Sequence, residues 1–296
     1  MKLIITVDTE ADSQWDFDGT ISLENLACLP RFQDLCERHG FRPTYLAACE
    51  VLQDVEALHC LRQWQQEGRA EIGAHLEPWT TPPFLPGEKK DPAMQAFPSE
   101  LPAPWFARKL ETITSRLGKT IGTAPRSFRA ARWGLNGSMV RALEACGYLV
   151  DCSVTPGISW HRERGLTGGT GGPDFRSAPL RPYPLSVDNV CCPGDTDILE
   201  VPPTILCTGA LSHGDSPLAR RFSRLSDSLL KRLLNRLVFR RRWLRISRTS
   251  GLRDWRQILL AARRAGLDVL QFMIHSSELM AGTSPLTRSE EEAGVV

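Results

Sequence analysis

The sequence lacks the features of a membrane-spanning, secreted or nucleic-acid-binding protein. No apolar run approaches the length needed to cross a bilayer. The 36 Lys and Arg residues nearly balance the 34 Asp and Glu residues, and a net charge of +2 gives no general attraction to nucleic acid. The first residues hold one Lys and a short apolar run, but acidic residues follow at once and no small-residue cleavage site appears. We therefore expect a cytoplasmic protein without a nucleic-acid partner.

The nine cysteines show no pairing pattern. None forms a Cys-x-x-Cys pair, their number is odd, and most lie in apolar or helical contexts. This distribution favours reduced, buried thiols over a disulfide framework or a zinc-cysteine site. The glycine-rich run at 168–172 is not a phosphate loop, because no Lys-Ser/Thr follows it and no strand precedes it.

Short apolar stretches alternate with amphipathic ones along the chain, and glycines follow several of the latter. The predicted strands cover 3–7, 42–48, 70–75, 127–129, 148–152, 198–206 and 267–275, and the predicted helices cover 23–39, 52–67, 105–117, 137–146 and 252–265. Strands that alternate with helices predict parallel βα units and an α/β fold. A barrel built from such units is commonly one domain at a length of 296 residues.

Polar, chemically capable residues recur at the carboxyl ends of the predicted strands, where βα barrels place their catalytic groups. In strand order they are Asp8 and Glu10, His75 and Glu77, Arg129 and Arg132-Trp133, Asp151, Glu200, and His275. The set suits a metal held by histidine and carboxylate, with a further carboxylate to take a proton from water. The remaining histidine could protonate a leaving group.

Six motifs in this order resemble the polysaccharide deacetylases of the NodB-homology type, in a branch associated with exopolysaccharide and cell-wall synthesis. They are TVDTE at 6–10, GAHLEPWTTPP at 73–83, FRAARWG at 128–134, DCSV at 151–154, GGPDF at 171–175 and MIHSSEL at 273–279. The resemblance covers nearly the whole chain. It implies a single-domain, distorted seven-stranded (β/α) barrel that hydrolyses acetyl groups, N-acetyl more often than O-acetyl, on a polysaccharide or its precursor.

The resemblance also implies a role for each candidate residue. The catalytic residues would be Asp8 as general base, Arg129 orienting it, His275 as general acid, and Asp151 holding one of the charged partners. The metal ligands would be Glu10, His75 and Glu77, and the substrate-binding residues Trp79, Arg132 and Trp133. The expected cofactor is a divalent cation, Zn²⁺ first, with Mn²⁺, Co²⁺ or Ni²⁺ as alternatives.

One position departs from the pattern, because relatives usually carry a second histidine where this chain has Glu77. A site richer in oxygen ligands should favour zinc less strongly over other metals. Two alternatives therefore stand beside the deacetylase. One is a catalytically impaired relative that only binds glycan, and the other is an amidohydrolase of the same fold that acts on a small non-sugar amide.

A basic segment forms an insertion at about 216–248, and a short polar tail ends the chain at Val296. From Arg220 to Arg248 there are eleven Lys and Arg against a single acid, Asp227, and leucines recur at helical spacing. This pattern predicts an amphipathic cationic helix over 220–248. Such a helix would either cover the barrel with a solvated outer face or make peripheral contact with an anionic membrane surface.

Overall fold

The computed structural model describes residues 1–14, 20–84, 95–166, 168–209, 240–246 and 251–289, together with isolated positions between 221 and 238. Its strands are β1 (Lys2–Thr9), β2 (Thr44–Ala47), β3 (Glu71–Leu76), β4 (Ser127–Ala130), β5 (Val150–Asp151), β6 (Tyr183–Pro184), β7 (Leu199–Glu200), β8 (Ile205–Cys207), β9 (Arg241–Trp243) and β10 (Val269–His275). Its α-helices are α1 (Leu29–Arg38), α2 (Val55–Gln66), α3 (Ala103–Ile121), α4 (Gly137–Ala145) and α5 (Leu252–Arg264). None of the helices in this part of the chain is long and apolar enough to cross a membrane.

The central sheet has eight strands in the order β10-β1-β2-β3-β4-β5-β7-β6 and curls into a half-barrel. Seven of these strands pair in parallel, and β6 adds an antiparallel edge to β7. The predicted α/β class with seven parallel strands is therefore confirmed. The eighth strand, β6, was not predicted, because a two-residue strand leaves no periodic signal in the sequence.

The register of the parallel strands brings distant polar residues to one end of the sheet. Asp8 of β1 lies beside His275 of β10, and His75 of β3 lies beside Arg129 of β4. All four residues lie in the carboxyl-terminal halves of their strands. The predicted gathering of ionisable groups thus follows directly from strand order and pairing.

The predicted strand over 198–206 is wrong as a single element. Pro202 and Pro203 separate β7 from β8, since proline has no N–H to donate to a sheet. Beyond the break, the Thr204 N–H donates to the Gln271 carbonyl of β10 at 3.1 Å. The chain therefore leaves β7 and passes to the opposite edge of the sheet, where β8 and β9 form an antiparallel pair.

The helices pack outside the sheet around one large apolar core. Phe128 of β4 sits between Phe106 of α3 and Tyr148, with ring centroids 6.3 and 5.5 Å apart in edge-to-face geometry. α3 runs past its predicted end and stops at Gly122, which adopts a left-handed φ of 88°. The nine cysteines are all free and five of them are buried, as their spacing indicated.

Most of the basic segment predicted as a helix over 220–248 lies outside the described residues, as does the tail from 290 onward. Within the segment, Arg241–Trp243 forms β9, so the helix prediction is wrong for these residues. The leucines at helical spacing end at position 237, before β9, and these residues instead pair with β8 while Trp243 packs against Trp133 and Trp160.

Candidate active site

A cavity of about 360 Å³ opens at the carboxyl ends of the parallel strands. This volume falls within the usual range for small-molecule sites. Nine of the ten site residues expected from the sequence line it, namely Asp8, Glu10, His75, Glu77, Trp79, Arg129, Arg132, Trp133 and His275. The sequence did not point to six further lining residues, namely Gln14, Gln95, Phe97, Trp160, Glu163 and Arg245.

A buried ion pair between Arg129 and Asp8 lies at the floor of the cavity. The Arg129 guanidinium donates through Nη1 to Asp8 Oδ1 and through Nη2 to Thr6 Oγ1 and Gln271 Oε1, at 2.8 and 2.9 Å. Its Nε donates to the Cys152 carbonyl at 2.9 Å. Four acceptors thus fix the orientation of the guanidinium, and through it the orientation of the Asp8 carboxylate.

The electrostatic surroundings keep Asp8 ionised. Burial alone would raise the pKa of Asp8, but attraction from Arg129 and the two histidines, together with the Arg129 hydrogen bond, holds the pKa below its ordinary value. Asp8 is therefore an ionised carboxylate over a wider pH range than an ordinary aspartate. Its second oxygen, Oδ2, lies 3.7 Å from His275 Nε2.

His275 is held by a carboxylate and an arginine that sequence reasoning did not assign to the site. Its Nδ1 lies 3.1 Å from Oε1 of the fully buried Glu278, which leaves Nε2 on the Asp8 side. Arg245 Nη2 donates to the same Glu278 oxygen at 2.5 Å. Burial would lower the pKa of His275, but the charges of Glu10 and Glu278 raise it above the ordinary value.

Glu10, His75 and Glu77 form a buried cluster whose potential ligand atoms all lie within 4.8 Å of one another. His75 Nδ1 lies 3.1 Å from the Arg129 backbone carbonyl, which can only accept, so Nδ1 carries the proton. Nε2 then lies 3.4 Å from Glu10 Oε2 and is the ring nitrogen that a metal between the two residues would take as a ligand. Two carboxylates and one oriented imidazole fit a divalent transition metal.

A second buried carboxyl group supports Glu77 from behind. Glu50 follows β2, accepts from the Ala11 N–H at 3.2 Å, and hydrogen-bonds to the Glu77 side chain. Burial raises the pKa of Glu50, and burial together with repulsion from Glu50 and Glu10 raises the pKa of Glu77. Thr80 Oγ1 also donates to Glu77 Oε2 at 3.1 Å, which orients the carboxyl group.

Aromatic side chains form the walls of the cavity. Trp133 and Trp160 both contact Trp243 of β9 edge to face, at ring-centroid distances of 5.7 and 6.4 Å. Trp79 donates through its indole N–H to Gln14 Oε1 at 2.9 Å. Large flat apolar surfaces with polar edges suit the faces of sugar rings.

The loop after β4 has an unusual backbone conformation. Arg132 and Trp133 have φ angles of +52° and +63°, which non-glycine residues rarely adopt. Arg132 donates to the backbone carbonyls of Gln95 and Arg164, and its guanidinium lies 4.0 Å from the Phe97 ring centroid. Such strain persists where surrounding contacts fix a side chain at a functional position.

Asp151, the tenth expected residue, is not among the described residues that line the cavity. It accepts from the Ser153 backbone and hydroxyl at 2.9 and 2.8 Å, and it hydrogen-bonds to Glu200. Ser153 Oγ in turn accepts from the Ala130 N–H at 2.8 Å. Asp151 therefore braces the loop next to Arg129 rather than contacting a charged group in the cavity.

No family model and no curated protein matches the chain. Among solved structures, it is similar to a protein from Parabacteroides distasonis that carries the name glycoside hydrolase/deacetylase. The TM-score is 0.55 at 14% identity, covering 93% of this chain and 62% of that one. It is also similar to a 4-alpha-glucanotransferase from Thermococcus litoralis, with a TM-score of 0.50 at 11% identity over 94% and 34% of the two chains. A third structure, named as a polysaccharide deacetylase from Mycobacterium smegmatis, has a TM-score of 0.48 at 14% identity over 92% and 77%.

These likenesses concern the fold, which hosts more than one sugar chemistry. The fold shared with the Parabacteroides distasonis structure agrees with the barrel that the motifs at the strand ends implied. The chain therefore has a barrel-like α/β fold, which it shares with that structure.

Proposed function

We propose that this chain is a metal-dependent hydrolase that removes acetyl groups, N-acetyl in the first instance, from a polysaccharide or its precursor. The observation that carries the proposal is the buried Glu10-His75-Glu77 cluster, which shares one cavity with an ionised carboxylate and a histidine. The names of the similar solved structures support a deacetylase among the activities that this fold hosts.

Glu10, His75 and Glu77 would hold the metal. A divalent cation in such a site polarises an acyl carbonyl and lowers the pKa of water. Zn²⁺ is the first candidate, and the two carboxylates in the donor set keep Mn²⁺, Co²⁺ and Ni²⁺ as alternatives.

The groups that move protons lie beside this cluster. Asp8, kept ionised by Arg129, takes the proton from the attacking water. His275, whose pKa the charges of Glu10 and Glu278 raise despite burial, donates a proton to the departing amine. The carboxylate of Glu278 holds the imidazole so that Nε2 is the donating atom.

The aromatic walls would bind the sugar. Trp79 and Trp133, with Trp160 beyond the expected set, offer ring faces and polar edges along the cavity. A polysaccharide would run across the open mouth, while its acetyl group reaches the floor where Asp8 lies.

The test is acetate release from N-acetylated chito-oligosaccharides and from acetylated xylan, with Zn²⁺, Mn²⁺, Co²⁺ or Ni²⁺ added in turn. We expect release by the wild-type protein that a chelator abolishes, no release by Asp8→Asn, and near wild-type release by Glu163→Gln, which alters an exposed carboxylate of the same cavity.

Two outcomes would replace the proposal. Oligosaccharide binding that persists in Asp8→Asn, without acetate release under any metal, selects the glycan-binding alternative. Hydrolysis of small non-sugar amides with no action on either polysaccharide class selects the amidohydrolase.

A further inference from the structure

The outward face of α5 combines exposed leucines with arginines. Leu252, Leu260 and Leu259 are 73%, 51% and 39% exposed. Ile258, Ala261 and Ala262 cover the opposite face and are buried against the barrel. The leucines of an amphipathic helix normally lie on the side that packs against the protein core. Three leucines on the solvent side of one 13-residue helix therefore point to a further contact surface.

The charges on this face have one sign. Four exposed arginines share it with the leucines, at positions 253, 256, 263 and 264. The only acid in the helix, Asp254, lies on the side of the barrel, where it pairs with Arg242 of β9 at 3.3 Å. No carboxylate on α5 itself therefore balances the four outward cations.

An apolar groove of about 280 Å³ adjoins this face. It lies between α1 and α5 over the outer side of the sheet, and Phe32, Phe41, Ile246, Trp255 and Phe272 contribute to its lining. Trp255 is one helical turn from Leu259, so the groove and the exposed leucines form a continuous apolar surface. On the far rim, the outer face of α1 carries the acids Asp34 and Glu37 beside Arg31 and Arg38, so that rim is balanced in charge and the net positive charge belongs to α5.

We propose that the outward face of α5, with the adjoining groove, docks on an anionic lipid membrane. Arginines that flank exposed leucines match a surface where headgroups are negative and the layer beneath them is apolar. A helix of 13 residues is about 20 Å long, enough to lie flat in the headgroup layer. This surface is separate from the cavity, and the proposal does not depend on the hydrolase activity.

The test is flotation of the full chain with vesicles of phosphatidylcholine alone and with vesicles containing phosphatidylglycerol. We expect binding to the anionic vesicles alone, weakened by raising the salt from 0.1 to 0.5 M. The variant Arg256→Gln/Arg263→Gln should bind about thirtyfold more weakly, at roughly fivefold for each cation near an anionic surface. Loss of apolar contact in Leu252→Ser/Leu260→Ser should weaken binding at least about tenfold.

Arg62→Gln/Arg141→Gln is the matched control, because it removes two exposed arginines from α2 and α4. It should bind like the wild-type protein, and circular dichroism and thermal unfolding should show that all variants remain folded. The proposal is overturned if the wild-type protein does not bind anionic vesicles, or if it binds neutral vesicles equally well. Binding that survives both α5 variants also overturns it and directs the search to the basic segment.

Discussion

The buried Glu278 carboxylate provides the sharpest test of how His275 is held. Its oxygens contact Arg245 Nη2 at 2.5 Å, His275 Nδ1 at 3.1 Å and the His275 backbone N–H at 3.3 Å. Glu278→Gln keeps the size of the side chain and one acceptor but removes the charge. Breaking a buried ion pair from one side costs about 3 to 5 kcal/mol. Because the Arg245 side chain is 18% exposed, we expect a smaller loss here: Glu278→Gln should lower the free energy of unfolding, measured in urea, by about 2 to 3 kcal/mol.

The pH dependence of this loss has a defined sign. The charges of Arg245 and His275 outweigh burial and lower the pKa of Glu278 below its ordinary 4.5. Its stabilisation is therefore complete above pH 4.5 and disappears as the pH falls through the lower folded-state pKa. The difference in stability between Glu278→Gln and the wild-type protein should be large at pH 7 and shrink in acid.

The same change should alter the pH dependence of acetate release. Glu278 helps to raise the pKa of His275 above 6.5, so its neutralisation lowers that pKa. The alkaline limb of the rate profile should move to lower pH, since the general acid must be protonated. If Glu278→Gln is as stable as the wild-type protein at pH 7 and the alkaline limb of its rate profile does not shift, this role of Glu278 is refuted. Glu163→Gln is the control, because it also removes one carboxylate charge.

Three further changes have defined outcomes. Asp8→Asn leaves the fully buried Arg129 without its ionic partner and should cost about 3 to 5 kcal/mol in urea unfolding, in addition to abolishing acetate release. Glu77→His should increase Zn²⁺ affinity relative to Mn²⁺ at least about tenfold in competitive titration, because imidazole is the softer ligand. Phe128→Ala removes a ring fully buried between two aromatic side chains and should cost about 3 to 5 kcal/mol.

Each of these expectations can fail independently. An Asp8→Asn variant as stable as the wild-type protein would mean that the ion pair does not hold the floor of the cavity. Unchanged metal preference in Glu77→His would exclude this side chain from the ligand set. A loss below about 1 kcal/mol for Phe128→Ala would contradict the packing around β4.

The order of the main elements was predictable because apolar runs and glycine stops are local signals. The end of α4 was predicted to within one residue, and so was that of α5. β9 was not predictable, since its residues pair with β8 across a gap of more than thirty positions and follow a segment with leucines at helical spacing. The break at Pro202 and Pro203 was visible in the sequence, but the β-favouring residues on both sides of it suggested one strand.

The site was predictable where it depends on strand ends and not where it depends on loops. Side chains at the carboxyl ends of β1, β3, β4 and β10 meet because parallel strands end together. The same rule would have found Glu50 after β2, had it been applied to every strand. It fails for Asp151 and Glu200, which contact each other because β5 and β7 pair in register at these residues.

Residues carried by the connections leave no comparable signal. Trp160 reaches the cavity through an irregular stretch, and Arg245 lies just after β9, in an isolated β-bridge to Met273. Glu278 lies three residues after His275 within a recognised motif, but only the short helical turn at 276–279 brings its carboxylate under the imidazole.

The central claim is that Glu10, His75 and Glu77 hold one divalent cation. The most direct measurement is calorimetric titration of chelator-treated protein with Zn²⁺ and Mn²⁺, followed by metal analysis after dialysis. We predict that one equivalent of metal binds per chain. His75→Ala and Glu10→Ala should each bind the metal at least about a hundredfold more weakly. His59→Ala, which removes an exposed histidine on α2, should leave the metal affinity unchanged. Absence of bound metal, or affinity that both substitutions leave unchanged, would contradict the account.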